Sequence, residues 1–296
     1  MSDTLLVTGA SGHLGRRVIH HLLQTLKVPA TRIIATTRKP ETLADLAALG
    51  VTVRAADFES AESLASAFAG ADRLLLISTD ALDRPGRRLA QHQVAVAAAV
   101  KAGVKHVIYT SMPKPEDSPL LLAPDHLGTE QALAASPLAG WTVLRNHWYF
   151  ENLFMSLPSV LPSGQWFSAA GNGRLAHIAR DDLGRAAATV LAGSATGKNT
   201  YTLSGAQAFT TGEIAQLISA TLNKPIQVVP VPVEGLIQGM VSAGLPPPLA
   251  AIFASFDTNT AAGRVGEVTD DFQKLTGVAP QPFAVWLAEN KAALAG

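Results

Sequence analysis

Short apolar runs alternate with amphipathic stretches through the first half of the chain. The runs Thr4–Thr8, Arg32–Thr36, Val51–Ala55, Arg73–Ser78, His106–Ser111 and Trp141–Asn146 are short, rich in Leu, Ile and Val, and flanked by turn or helix signals, the pattern of β-strands. Between them the apolar positions take helical spacing. Leu14, Val18, Leu22 and Leu26 fall on one stripe of a helix predicted from Gly12 to about Leu26. A second helix begins at Pro40, a residue favoured in the first turn, and stops at Gly50, while the fourth runs from about Pro85 to Ala102 and stops at Gly103. Strands this apolar do not face water, so repeated strand–helix alternation implies a parallel sheet covered on both faces. The expected fold class is α/β, a doubly wound, Rossmann-like parallel sheet.

After Asn146 the rhythm loosens. Pro158, Pro162, "GNG" at 171–173 and "GLPPP" at 244–248 break the chain into short pieces, and only Asn199–Ser204 and Ile226–Val231 still read as strands. Residues 1–150 are therefore expected to form a nucleotide-binding domain. Residues 151–296 form a smaller, mostly helical substrate-binding region built partly on it.

Composition narrows the function classes. The chain has 296 residues, 48% of them hydrophobic and 16% charged, which suits a compact globular protein. Its 23 basic residues balance 23 acidic ones and neither sign forms a long run, so no broad footprint for nucleic acid or an anionic membrane is present. A small-molecule partner needs no such footprint, and a homodimer stays open as an assembly. With no Cys, disulfides, thiolate metal sites and a cysteine nucleophile are excluded, and no metal site is expected. No basic leader or membrane-length apolar run is seen, and a cytoplasmic location is the default expectation.

The stretch "LLVTGASGHLG", Leu5 to Gly15, carries the chemistry. A strand that ends in a glycine turn and feeds a helix lets a pyrophosphate approach the backbone at Gly9 and Gly12, with the first helical N–H groups pointing at the anion. Gly15, one turn into the helix, permits close packing on the strand. Ser11 adds a hydroxyl, and His13 either lies over the cofactor or is a solvated loop residue. NAD-specific sites place Asp or Glu about 20 residues on, at the end of the second strand. Here "IIATTRKP" offers Arg38 and Lys39, cations suited to a 2′-phosphate. Such a charge-assisted contact contributes about 1.5–3 kcal/mol, a preference for NADP of roughly ten- to a hundredfold. Asp57, ending the third strand, either accepts a bond from the adenine amino group or caps a helix.

These motifs, with "RAADFES", "LLLIS", "VKHVIYTS", "DHLGTEQALAAS" and "WTVLRNHWYFEN", resemble the NmrA-like branch of the atypical short-chain dehydrogenase/reductases. Within it the chain is most similar to the bacterial NADPH-dependent quinone oxidoreductases, then to the triphenylmethane reductases. "GNGRLAHIARDDLGRAAATVL" also fits the family's strand followed by a helix opening on paired acids. The resemblance implies NADP(H) as cofactor, with contacts at Gly9, Ser11, Gly12, His13, Leu14, Arg38, Asp57 and Phe58. Further contacts are implied at Ile77, Ser78 and Thr79 from the fourth strand, Thr110 and Ser111 from the fifth, and His126 and Asn146.

The departures from that pattern matter as much. Ordinary members of the superfamily use a Tyr-x-x-x-Lys pair, whereas "LLLAPDHLGTE" puts Leu122 and His126, or His126 and Glu130, in the two registers. The Tyr general acid is missing from both. His126 is expected to touch cofactor or substrate, and with Tyr149 it is the candidate catalytic residue. A quinone can accept a hydride without a positioned acid because the product is a delocalised phenolate, while a simple ketone would leave a basic alkoxide. Trp148, Tyr149, Phe150 and Phe154, just past the sixth strand, are expected either to wall a flat, conjugated substrate or to form a plain hydrophobic junction. An NADPH-dependent quinone reductase is thus the expected function; a non-catalytic NADP(H) sensor is the alternative, and an extended-type epimerase would need the absent Tyr.

Overall fold

A computed structural model describes residues 3–295. Seven parallel strands form the central sheet: β1 (Leu5–Val7), β2 (Ile33–Thr37), β3 (Thr52–Ala55), β4 (Arg73–Leu76), β5 (His106–Ser111), β6 (Gly140–Asn146) and, much later in the chain, a strand over Lys198–Leu203. Their spatial order is β3-β2-β1-β4-β5-β6 with the late strand outermost, and Val7 stands opposite both Ala35 and Leu75. The order reverses between β1 and β4, which opens a crevice at the carboxyl edge. Every residue of β1, β2, β4 and β5 is buried, as a sheet covered on both sides requires.

Two helical layers provide that cover. On one face lie α1 (His13–His20), which continues as a wider π-helical segment through Thr25, and α2 (Ala44–Ala48). Leu14, Val18 and Leu22 of the predicted stripe are buried there. On the other face lie α3 (Ala61–Phe68), α4 (Arg87–Lys101) and α5 (Ala123–Ala135), burying Leu64, Phe68, Ala95, Ala99 and Leu133.

Beyond β6 come α6 (Leu153–Val160), β7 (Gln165–Ser168), β8 (Arg174–Leu175), α7 (Arg180–Ala192), β9 (Lys198–Leu203), β10 (Phe209–Thr210), α8 (Thr211–Leu222), β11 (Gln227–Pro230), α9 (Val233–Ser242), α10 (Pro247–Ala261), α11 (Asp271–Thr276), α12 (Phe283–Glu289) and α13 (Lys291–Ala295). The late strand β9 is the expected Asn199–Ser204 strand, and it completes the main sheet by pairing with β6. The expected Ile226–Val231 strand is β11, which pairs in parallel with β7. The short strands β7, β8 and β10 were not legible in the sequence pattern. The two regions interleave: α7 packs its Leu183, Ala186 and Val190 into the same core as α1. Buried Arg73 of β4 ties α7 down by donating to the carbonyls of Val190, Leu191 and Ala195 at its C-terminal end. A separate core of Phe150, Leu157, Ile218, Phe283 and Trp286 holds α6, α8 and α12 together. Among the described residues no helix is long and apolar enough to cross a membrane.

Candidate active site

The turns that leave β1, β2, β3, β4 and β6 all emerge at the carboxyl edge. After β1 the chain turns at Gly9, whose φ of 57° is the left-handed region, and Gly12 N–H closes the turn on Gly9 C=O at 2.9 Å. Gly9, Ser11, Gly12 and His13 are exposed, so the turn and the first turn of α1 present bare backbone to solvent. Leu14 differs: it is 8% exposed and packs into the core beneath. A Cβ on Gly15 would sit 2.4 Å from Gly9 O and 2.8 Å from Ala10 Cα, so this glycine is required by close helix–strand packing.

Beside the turn, Ser11 Oγ lies 2.9 Å from Thr37 Oγ1 at the end of β2. Arg38 and Lys39 follow, exposed, and the Arg38 guanidinium makes no hydrogen bond or ion pair among the described residues. Asp57 is exposed too, with Oδ1 accepting the Glu59 N–H at 2.9 Å. It is not a helix cap, because Ser60 caps α3 by accepting the Ser63 N–H. Phe58 packs against the core behind it. These residues fit a dinucleotide phosphate: glycine backbone and helix amides for the pyrophosphate, and an uncommitted cation for a 2′-phosphate.

The chain leaving β4 is held by side chains from the end of β1, from β5 and from α4. Ile77 N–H donates to Thr8 Oγ1, Ser78 N–H to Thr110 Oγ1 and Thr79 N–H to His92 Nε2, each at 2.9 Å. Thr79 C=O accepts from Arg88 Nε at 2.6 Å, so α4 clamps the Thr79 backbone on both sides. Two of the residues expected at the cofactor are engaged within the protein. Thr110 is buried and occupied in holding Ser78, and Ser111 Oγ donates at 2.6 Å to Glu130, which also pairs with Arg145.

His126 is likewise engaged within the protein. It is 7% exposed, and its Nε2 must accept, because Arg88 Nη2 at 3.0 Å can only donate. The proton therefore sits on Nδ1, which donates to the Tyr109 hydroxyl at 2.9 Å. Burial, reinforced by the Arg88 charge, pushes His126 well below the ordinary imidazole range. His126 is a neutral buttress of Arg88, whose Nε donates to the Thr79 carbonyl. His92 is likewise held neutral, pushed down to about 3 by burial and by Arg88, with Nδ1 2.9 Å from Thr129 Oγ1. Arg88, His92 and Tyr109 were missed in the sequence. Arg88 and His92 lie four apart on the stripe of α4 that also buries Ala95 and Ala99, which marks them as inward-facing.

Past β6 a cavity of about 990 Å³ opens, lined by Asn146, Trp148 and Tyr149 and then by α6, α9 and α10. The Trp148 ring stands 3.9 Å from that of Phe256, and Arg180 lies 5.3 Å over the Tyr149 ring. Burial pushes the Tyr149 hydroxyl up, against the opposing pull of Arg180 and of the nearby Asn146 amide. Phe150 and Phe154 are not walls of the cavity. The chain enters a tight helical turn at Phe150, so neighbouring aromatics fan outward. Phe150, 1% exposed, packs among Phe283, Trp286 and His177, while Phe154 lies at the surface, edge-on to Trp286 at 5.8 Å.

A doubly wound sheet with a glycine-turn phosphate cradle and a cavity at its carboxyl edge defines a dinucleotide-binding protein of the Rossmann class. The profile of the NmrA-like family matches residues 1–279, and the chain belongs to that family. It is 37% identical over 273 residues to quinone oxidoreductase 2 of Escherichia coli K12, covering 92% of this chain and 93% of that protein. The crystal structure of the E. coli NADPH-dependent quinone oxidoreductase with NADPH superposes with a TM-score of 0.90 at 36% identity, over 98% of this chain and 99% of the other. Triphenylmethane reductase of Citrobacter sp. complexed with NADP(H) superposes with a TM-score of 0.87 at 39% identity, over 96% and 99% of the two chains. An NAD(P)H azoreductase of Xenophilus azovorans is 27% identical over 290 residues, 98% of each chain.

Proposed function

We propose that this chain is an NADPH-dependent oxidoreductase that reduces a quinone or a similarly conjugated acceptor held in the cavity beside Asn146 and Tyr149. The observation that carries this reading is a juxtaposition: an aromatic-walled cavity and a glycine turn flanked by an uncommitted arginine share one edge of the sheet. The named acceptors of the relatives, quinone, azo compound and triphenylmethane dye, have extended conjugation in common and can delocalise an incoming electron pair.

Bound NADPH would supply a hydride, and a quinone that has gained it needs a single proton, available from water, to finish as the hydroquinone. The protein's own residues bind and orient. The Gly9–Gly12 turn and the amides of α1 hold the pyrophosphate, and Arg38 holds the 2′-phosphate. The clamped Thr79 loop fixes the nicotinamide side without moving. Trp148 and Tyr149 present ring faces to a flat acceptor and exclude water. Tyr149 stays protonated, because its pKa is raised, and donates to the acceptor oxygen as charge builds there.

NADPH oxidation over a panel of quinones, azo dyes and triphenylmethane dyes tests the reading. Turnover is expected with at least one acceptor, at a rate that is flat between about pH 5 and 8, because His92 and His126 are already neutral there. Tyr149→Phe should lower kcat/KM about ten- to a hundredfold with NADPH affinity retained. NADPH binding without oxidation by any acceptor would make the protein an NADP(H) sensor instead.

A further inference from the structure

The cavity is larger than a quinone ring requires. Pockets that bury drug-sized ligands span roughly 300–1,000 Å³, and this one, at about 990 Å³, stands at the top of that range. Its ends differ in chemistry. Asn146 and Tyr149 bring polar groups to the β6 end, and Asn146, 9% exposed, has an Oδ1 without a hydrogen-bond partner among the described residues. A buried polar atom left in this way calls for a ligand group to satisfy it.

The far wall is one face of α9. Gly235, Gly239 and Ala243 recur every four residues along it, flanked by Leu236 and Met240. Residues four apart share a helix face, so the small residues form a trough, and eight residues at the helical rise make it about 12 Å long. A Cβ built on Gly239 would meet nothing within 4 Å, so the trough faces open space and not a packed neighbour. Met155 and Phe167, also cavity residues, are 60% and 49% exposed, which gives the cavity an apolar rim in contact with water.

We infer that the acceptor carries an aliphatic chain, with its conjugated head at Asn146 and Tyr149 and its chain along the α9 trough toward the rim. This rests on the reductase reading above and adds the chain to it. The trough matches the extended length of a decyl chain. Each methylene removed from water is worth about a fourfold factor in affinity, part of which is lost in ordering the chain.

The test compares a decyl-substituted 1,4-benzoquinone with its methyl homologue, at concentrations where both are monomeric. Dissociation constants are measured by calorimetry on the NADP⁺-loaded protein, where nothing is reduced, and kcat/KM is measured with NADPH. The decyl compound is expected to bind at least about tenfold more tightly and to show the higher kcat/KM. Gly239→Leu, which fills the trough, should bring the ratio of the two dissociation constants toward one, and Ala243→Leu serves as the second variant if Gly239→Leu does not fold. Equal affinities in the unmutated protein overturn the proposal, as does a decyl preference that survives both substitutions. A decyl preference in binding, lost in the variants, with no turnover of either compound or of any other quinone, azo dye or triphenylmethane dye would support the trough and overturn the reductase reading.

Discussion

At the end of β2, Arg38 stands exposed and uncommitted one residue beyond Thr37, whose Oγ1 lies 2.9 Å from Ser11 Oγ of the glycine turn. In the role proposed above, a cation in that place meets a phosphate of NADPH that NADH lacks. Arg38→Ala is expected to weaken NADPH binding roughly ten- to a hundredfold and to leave NADH binding nearly unaltered, read by cofactor fluorescence titration. Equal affinity of the unmutated protein for the two cofactors would remove the role assigned to Arg38. Its exposure at the end of β2, beside the glycine turn, was legible because it depends on a short, fixed spacing from the glycines. His126 was legible only in part. A register places a residue along a helix without saying which face it takes, and His126, Thr129 and Leu133 recur on the buried stripe of α5. The hydrogen bonds that make it a buttress come from Arg88 and Tyr109, 38 and 17 residues away, beyond the reach of local pattern.

The β1–turn–α1 element separates two uses of glycine that the spacing alone runs together. A side chain at Gly15 collides with rigid backbone at Gly9 and Ala10, whereas a Cβ at Gly12 would approach only Gly9 O, at 3.2 Å. Gly15→Ala is therefore expected to destabilise the cofactor-free protein by about 1–3 kcal/mol. Gly12→Val should abolish NADPH binding at a smaller cost in stability, because its branched side chain occupies the phosphate cradle while the backbone stays in an ordinary extended conformation. Thermal unfolding without cofactor, paired with NADPH titration, ranks the two. An unaltered melting temperature for Gly15→Ala would refute the packing argument. At the same scale, of the four aromatics after β6 Trp148 and Tyr149 line the cavity and Phe150 and Phe154 do not. The α9 trough could not be read locally, since small residues four apart gain meaning only when a cavity lies against them.

Across the whole molecule, of the paired acids at the start of α7, Asp181 joins the two regions through Arg17 and His21, while Asp182 ties α7 to the segment before α12. Burial pushes the Asp181 carboxyl up, but hydrogen bonds from His21 and Arg17 of the α1 segment outweigh it and hold the group at about 2. Its neighbour Asp182 accepts the Gln281 N–H at 2.7 Å, just before α12, and burial, with the charges of Asp181 and Glu151, pushes it up to about 6. A carboxyl raised on folding favours the folded state while protonated in both states, below about pH 4. That contribution is lost as pH rises through about 6. Asp182→Asn keeps an acceptor for Gln281 and removes the charge, so it should stabilise the protein at pH 7 by about 1–3 kcal/mol. It should also flatten the dependence of melting temperature on pH between about 4 and 6. A variant less stable than the parent at pH 7 would contradict this. The α/β class and all seven central strands were legible, because each strand is a short run of strand-forming residues bounded by turn signals. The return of α7 and β9 to the first sheet was not, because pairing between Asn146 and Leu203 is a contact between distant parts of the chain.

That return has a consequence for how the chain can be cut. β6 pairs along its length with β9, from Trp141 opposite Lys198 to Asn146 opposite Leu203. A fragment ending near residue 150 would keep the whole phosphate cradle yet leave β6 as a bare edge, its unpaired amides and carbonyls beside the apolar Val143 and Leu144. Such an edge recruits further strands, so the isolated cofactor half is a template for self-association. In the intact chain β9 takes the outer position with Lys198 and Thr200 exposed, and these polar side chains guard the end of the sheet.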